Sequence, residues 1–112
     1  TIWFDYDDVS SISQEGDEYE CHIENTLCAF RKLIICRDAY WKIAGEEMGL
    51  DGPWEPDWTT DDAKHSLINV GNTIILSVEY KVGRILAFPT KEMRDAFYEN
   101  FKELIEECKE LL

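Results

Sequence analysis

Residues 66–88 read SLINVGNTIILSVEYKVGRILAF, and this stretch decides the fold. Two apolar runs, residues 66–70 and residues 73–82, flank the dipeptide Gly71–Asn72. A glycine and an asparagine between two apolar runs are typical of a tight turn that joins antiparallel strands. We therefore predict a β-hairpin with its turn at this dipeptide.

A third strand is expected directly after the hairpin. Beyond a turn at Gly83 the sequence continues as RILAF, residues 84–88, which is apolar on both faces of a strand. Alternation along the second strand places Ile74, Leu76 and Val78 on one face. Because strands that are apolar on both faces are usually covered on both, we expect the last strand to be internal. The pattern predicts a three-stranded antiparallel meander.

Two further segments carry the apolar repeat of amphipathic helices. Residues 23–48 have apolar side chains mostly three or four positions apart, and Gly49 can end this helix in the left-handed conformation. Residues 91–112 show a second apolar seam, and Thr90 is a good N-cap for it. The predicted fold class is α+β, with a three-stranded antiparallel β-meander packed against two amphipathic α-helices. Residues 2–6 also fit an extra N-terminal strand.

Length and charge restrict the function classes. The 112 residues are expected to form a single domain, residues 1–112. Lys and Arg number 11 and Asp and Glu number 24, so the formal net charge is −13. This charge repels phosphate backbones and anionic lipids, so we expect neither direct nucleic-acid binding nor membrane binding. A protein partner, and a basic one in particular, suits the charge better.

The N-terminus and the apolar runs give no sign of export or of membrane insertion. The first residues, TIWFDYDD, are acidic and lack the basic flank of a signal or transit peptide. No apolar run approaches the ~18 residues of a membrane span. These features predict an intracellular protein.

The cysteine pattern indicates reduced thiols. Cys21, Cys28, Cys36 and Cys108 form no C-x-x-C pair. The first three are seven and eight positions apart, so they are not neighbours on one helix, and only Cys108 could complete a disulfide. We expect all four to act as small apolar residues of an intracellular protein.

The sequence contains none of the common motifs that indicate catalysis or cofactor binding. His22 and His65 lie in different predicted elements and lack the companion residues of a zinc site. Neither a G-x-x-x-x-G-K-[ST] loop nor a G-x-G-x-x-G loop is present. The segment DWTTDD, residues 57–62, lacks the glycine and the terminal glutamate of a calcium loop. We therefore predict no cofactor, no metal site and no enzymatic activity.

The segment GPWEPDW, residues 52–58, allows two interpretations. Its prolines exclude a regular helix, and an extended chain at ~3.3 Å per residue separates the two tryptophans by about 13 Å. In the first interpretation, which we favour, the two tryptophan rings are buried against the end of the sheet and against a helix, and so anchor the loop. In the second, an aromatic patch with an acidic rim grips a basic partner. The candidate interface residues are then Trp54, Glu55, Asp57, Trp58, Asp61 and Asp62.

Three stretches carry a resemblance to a known group of proteins. They are AYWKIAGEEMGL, PWEPDW and ILAFPTKEMRDAFYENFKELIEECKELL, within residues 39–58 and 85–112. In this order they resemble a C-terminal module of uncharacterised proteins from bacteriophages and prophages of gut bacteria. The resemblance implies a phage or mobile-element setting in the cytoplasm of a bacterial host cell, and it assigns no functional residues. Reuse of such a piece implies docking or assembly by analogy.

These observations lead to one main hypothesis and two alternatives. The main hypothesis is a small acidic, non-catalytic protein-interaction module that acts by docking to a protein partner or by assembly into a homo-oligomer. The first alternative is an acidic inhibitor of a host defence nuclease, in which carboxylates replace nucleic-acid phosphates and binding weakens with salt. The second alternative is a metal-dependent enzyme, whose activity would need residues among His22, His65, Asp57 and Asp61.

Overall fold

The computed structural model describes residues 18–112, with side chains from residue 23 onward, so the predicted N-terminal strand lies outside the described residues. Within this range the chain forms three α-helices and one three-stranded sheet. In chain order the elements are α1 (Glu18–Glu47), β1 (Lys64–Val70), β2 (Thr73–Glu79), β3 (Leu86–Phe88), α2 (Lys91–Asn100), α3 (Lys102–Cys108) and a short 3₁₀ helix (Lys109–Leu111).

The α+β class and the three antiparallel strands are confirmed, but the meander order is wrong. The strand order is β2-β1-β3, so β1 is the central strand and β3 is an edge strand. β1 pairs with β2 from Lys64 opposite Glu79 to Val70 opposite Thr73. After β2 the chain passes to the other side of β1, where Leu67 lies opposite Leu86.

The helices cover one face of the sheet and enclose the core. Leu67 and Phe88 from the sheet meet Leu33 and Tyr40 from α1 and Phe97 from α2. The ring of Phe97 lies 4.9 Å from that of Phe88 and 5.1 Å from that of Tyr40, in tilted and edge-on arrangements that aromatic pairs favour. The apolar seams that predicted the helices are therefore the surfaces that pack on the sheet and on each other.

The ends of the helices follow their predicted signals, with one difference. Thr90 caps α2, since its hydroxyl accepts the Met93 amide at 3.1 Å. Gly49 ends α1 with a φ of 73°. The predicted C-terminal helix is divided, because Phe101 has non-helical torsions (φ −127°, ψ 26°) and separates α2 from α3. This break turns the Phe101 ring toward Tyr40, with the ring centroids 5.9 Å apart.

Within residues 18–112, no helix combines the length and the apolar character that crossing a membrane requires.

Candidate functional site

The two edges of the sheet have different surroundings, and the edge at β3 is covered. On the helical side, Trp41 donates its indole N–H to the Ala87 carbonyl at 2.7 Å. Arg37 donates to the Ile85 carbonyl at 3.1 Å and stacks 4.1 Å above the Trp41 ring. Side chains of α1 therefore occupy backbone acceptors along β3, which is one way in which proteins protect a strand edge.

The opposite edge, at β2, has backbone groups that pair with no other strand among residues 18–112. Gly71 and Asn72 have φ values of 57° and 66°, as in the type I′ turn of a two-residue hairpin. In such a hairpin the residues that flank the turn form a hydrogen-bonded pair, and bonded and non-bonded pairs then alternate. The N–H and C=O groups of Ile74, Leu76 and Val78 therefore point away from β1. In the described part of the chain, β1 is the only strand that pairs with β2.

Apolar side chains follow the same edge. Ile75, Leu76 and Val78 are 40%, 43% and 42% exposed, although apolar side chains of this size are usually buried. Tyr80 and Val82, directly after the strand, are also exposed. The β2 surface is defined here as Ile75, Leu76, Val78, Tyr80 and Val82.

Charges beside the β2 surface are paired with opposite charges. Arg84 contacts Glu79 at 3.4 Å, and Lys81 contacts Asp61 at 3.2 Å. The Lys81–Asp61 pair is exposed and contributes little to stability, and the Arg84–Glu79 pair is partly buried, but both leave the surroundings of β2 close to neutral. The chain as a whole carries −13, so this neutrality is local.

Trp54, the first tryptophan of the GPWEPDW segment, packs against α1. Its ring lies 5.7 Å from that of Trp41 at 80°, and its amide donates to the Trp41 carbonyl at 2.9 Å. The segment crosses α1 at Gly45, where a Cβ would overlap the Gly52 carbonyl and lie 2.9 Å from Pro53 Cα. Gly45 is thus required by close backbone approach, and Trp54 supports the side chain that covers β3.

Trp58, the second tryptophan, lies above a buried lysine. The Lys64 ammonium is 5.5 Å from the Trp58 ring centroid, and Lys64 is only 2% exposed. The ammonium donates to the carbonyls of Thr60 at 3.1 Å and Tyr80 at 2.7 Å. These hydrogen bonds compensate for burial of the charge and tie the loop to the chain that leaves β2.

The acidic residues of the loop remain at the surface and make local turns. Asp57 accepts the Thr59 hydroxyl and, at 2.9 Å, the Thr59 amide, and these two hydrogen bonds, the first more than the second, lower the pKa of its carboxyl. Thr60 donates its hydroxyl to Asp62 at 3.2 Å. Asx and ST turns of this kind stabilise a loop without a ligand.

The structure brings part of the predicted interface together. Trp54, Glu55, Asp57 and Asp62 line one pocket of about 240 Å³ beside Lys64. Trp58 and Asp61 do not line it. The rings of Trp54 and Trp58 both make contacts within the chain, as the first interpretation expects. The use of this loop as an interface stays a prediction.

The β2 surface was missed by sequence reasoning. The signal was present, since TIILSV is apolar on both faces and lies beside a tight turn. The predicted meander placed the strand in the centre of the sheet, where such a run needs no further explanation. The observed order moves it to an edge.

The histidine and the thiols within the described residues have perturbed pKa values. Burial, and then the positive charge of Arg94, lower the pKa of His65. Burial raises the pKa of Cys36 and of Cys108 to about 11, so both remain protonated at neutral pH. Cys28, Cys36 and Cys108 are free thiols. Residues 18–112 contain no cluster of three His, Cys, Asp or Glu residues that could hold a metal ion.

No protein-family model, curated protein or solved structure matches this chain. The resemblance to phage and prophage proteins therefore stays a prediction.

Proposed function

We propose that this chain is a non-catalytic protein-interaction module that docks a protein along the β2 edge, in the phage or mobile-element setting that its sequence resembles. The supporting observation is the asymmetry of the sheet. Arg37 and Trp41 hold the backbone carbonyls of Ile85, directly before β3, and of Ala87 within it, whereas β2 keeps an apolar, exposed edge. A strand edge of this kind accepts another strand readily.

The chemistry of the edge suits addition of a strand. The outward N–H and C=O groups of Ile74, Leu76 and Val78 supply directional hydrogen bonds to an extended partner backbone. Burial of the β2 surface supplies the apolar contribution, at roughly 25 cal/mol per Å² removed from water. The partner backbone therefore runs beside β2, and side chains at alternate positions give the specificity.

The acidic inhibitor of a defence nuclease is the second candidate. It needs a continuous array of carboxylates, and exposed glutamates do line α2 and α3. Lysines interrupt this array, since Lys102 contacts Glu99 at 3.2 Å and Lys109 contacts Glu106 at 2.6 Å. The exposed apolar strand is the less ordinary feature for a surface, so we rank docking at β2 first.

A binding experiment with a matched pair of variants tests the proposal. The immobilised chain is exposed to lysate of infected host cells and, separately, to a second copy of the chain. Leu76→Lys places a charge in the centre of the β2 surface, and Leu50→Lys makes the same change at a residue of similar exposure, 47%, in the loop after α1. We expect L76K to lose the retained protein at least tenfold and L50K to retain it.

Three outcomes are informative. Equal retention by both variants would place the contact outside β2 and contradict the proposal. Retention of a basic nuclease that is released by moderate salt and is insensitive to L76K would favour the inhibitor. Retention that survives salt and depends on Leu76 supports an apolar strand contact.

A further inference from the structure

We propose that the partner at β2 is a second copy of this chain, and that the β2 strands of two copies pair antiparallel about a two-fold axis at Leu76. This inference rests on the proposed docking function and names its partner. The two sheets then join into one sheet of six strands, with the β2 strands in the centre. A self-complementary patch of this kind is what a two-fold dimer requires.

The backbone geometry selects the register. Only the outward residues Ile74, Leu76 and Val78 can form hydrogen bonds across the new pair. With Leu76 opposite Leu76 of the second copy, Ile74 lies opposite Val78, and every outward residue has a bonded partner. This register also overlaps all seven residues of β2, Thr73–Glu79, without an overhang.

The side chains agree with this register. Cross-strand neighbours share a face, so Ile74, Leu76 and Val78 of one copy meet the same three residues of the other in reverse order. On the opposite face Ile75 lies against Ser77. The single charge of the strand, Glu79, lies opposite Thr73 and not opposite a like charge, which would be destabilising.

Local charge permits two acidic copies to meet here. Each copy carries −13, so most surfaces of the chain repel one another. Beside β2, Glu79 is paired with Arg84 and Asp61 with Lys81. A strongly basic partner would gain little from a surface whose charges are already paired, whereas an apolar strand whose single charge is paired, such as β2 of a second copy, can approach it with little repulsion.

The available contact is the size of a small, reversible dimer interface. The five apolar side chains of the β2 surface are exposed by about two fifths to one half. Ile75, Leu76 and Val78 lie within the paired segment, and with the strand backbone they offer each copy a contact smaller than the ~800 Å² per partner of standard interfaces. The dimer is expected to be reversible and concentration-dependent, since this area lies at the small end of the range.

Sedimentation equilibrium of the purified chain over a wide concentration range tests this inference. We expect the mass to rise from the chain mass of 13.1 kDa toward twice that value as concentration increases. L76K and Leu76→Glu should each remain monomeric, because each places like charges directly opposite one another at the axis. L50K should dimerise as the wild-type chain does.

Mixing the two charged variants tests the axis itself. An equimolar mixture of L76K and L76E should recover the dimer, because residue 76 of one copy then faces the opposite charge on the other. Circular dichroism and thermal unfolding of each variant establish that the monomers are folded. Recovery in the mixture is possible only if both variants fold.

The contrary results are specific. A wild-type chain that stays monomeric at every concentration overturns the inference, and so does a dimer that L76K leaves intact. Failure of the mixture to dimerise while each variant is monomeric overturns the axis at Leu76. A monomeric wild-type chain that still retains another protein through Leu76 would overturn the dimer alone and leave the docking function in place.

Discussion

The two edges of one small sheet differ in what meets them. Along β3, α1 supplies donors to the carbonyls of Ile85 and Ala87, and the strand is buried throughout. Along β2, apolar side chains are exposed, and β1 is the only paired strand among residues 18–112. Both strands are apolar, so composition alone does not decide which of them is covered.

The difference shows how a tryptophan-rich loop and a helix protect an edge together. Trp54 packs on Trp41, and Trp41 bonds to β3, so the loop acts on that edge through α1. On β2, Arg94 of α2 donates to the Ser77 carbonyl at 3.1 Å, but this carbonyl belongs to a residue that pairs with Ser66 of β1 and does not lie on the outer side of the strand. An edge that residues 18–112 leave without a strand partner, beside one whose carbonyls are held, agrees with the proposed docking at β2.

The largest effect is expected where the loop meets α1. In Gly45→Ala the new Cβ overlaps the Gly52 carbonyl, so the loop must move away from the helix. Because the overlap is with backbone atoms, the cost lies at the upper end of the about 1–3 kcal/mol typical of overpacking, and the ~1 kcal/mol that alanine gains over glycine within a helix offsets part of it. We expect a loss of about 2 kcal/mol in the free energy of unfolding, measured with urea.

Gly52→Ala is the matched control for this change. A Cβ at Gly52 meets no atom within 4 Å, and its stability should change by less than about 0.5 kcal/mol. Equal stability of G45A and the wild-type chain would show that the loop does not rest on α1.

A smaller loss is expected from Trp41→Phe. This variant keeps an aromatic ring but removes the donor to the Ala87 carbonyl, and an unsatisfied buried acceptor costs about 1–3 kcal/mol. Trp58→Phe is its control, because the Trp58 ring meets Lys64 through its face. Urea unfolding should show W41F less stable than W58F by at least about 1 kcal/mol; the reverse order would contradict the covering role of Trp41.

At the open edge a drastic substitution should hardly affect the monomer. Leu76→Lys lies on an exposed strand position, so we expect a change below about 0.5 kcal/mol in unfolding of dilute, monomeric protein. Thermal and urea unfolding at low concentration measure it. A large loss in the free energy of unfolding would mean that Leu76 stabilises the single chain and is not available to a partner.

The smallest effect concerns His65 in β1, between the two edges. Burial lowers its pKa below the ordinary 6.5, so the unfolded chain binds the proton more readily than the folded one. Its contribution to stability is complete above pH 6.5 and is lost as the pH falls below that value. His65→Gln should therefore lose less stability than the wild-type chain between neutral and mildly acidic pH.

The pH window separates His65 from Asp57. The lowered pKa of Asp57 affects stability only as the pH falls below its ordinary value of 3.8. Urea midpoints on either side of pH 6.5 provide the measurement for both chains. A pH dependence that H65Q leaves unchanged would show that His65 is not its source.

Local signals in the sequence predicted most of the elements. The Gly71–Asn72 turn, the Thr90 cap and the Gly49 stop each act within a few residues, and all three are observed. The division between α2 and α3 was not predicted, because Phe101 continues the apolar seam. Its non-helical torsions accompany packing against Tyr40, which is distant in the sequence.

Strand order depends on longer connections and was predicted incorrectly. An apolar run such as Leu86–Phe88 was read as an internal strand, yet the same composition results when a helix covers an edge strand. The exposure of Leu76 follows from the edge position of β2, so the residues around it in the sequence did not predict it. The tryptophan loop was closer to prediction, since Trp54 does pack on a helix and Trp58 lies near the sheet end, over Lys64.

Amide hydrogen exchange, followed residue by residue at low and high protein concentration, tests the central claim most directly. The account predicts that the outward amides of Ile74, Leu76 and Val78 become protected as concentration rises, while those of Ile75 and Ser77, bonded to β1, stay protected throughout. In L76K the concentration dependence should disappear. Outward amides that exchange at one rapid rate at every concentration would contradict the claim that this edge receives a second copy of the chain.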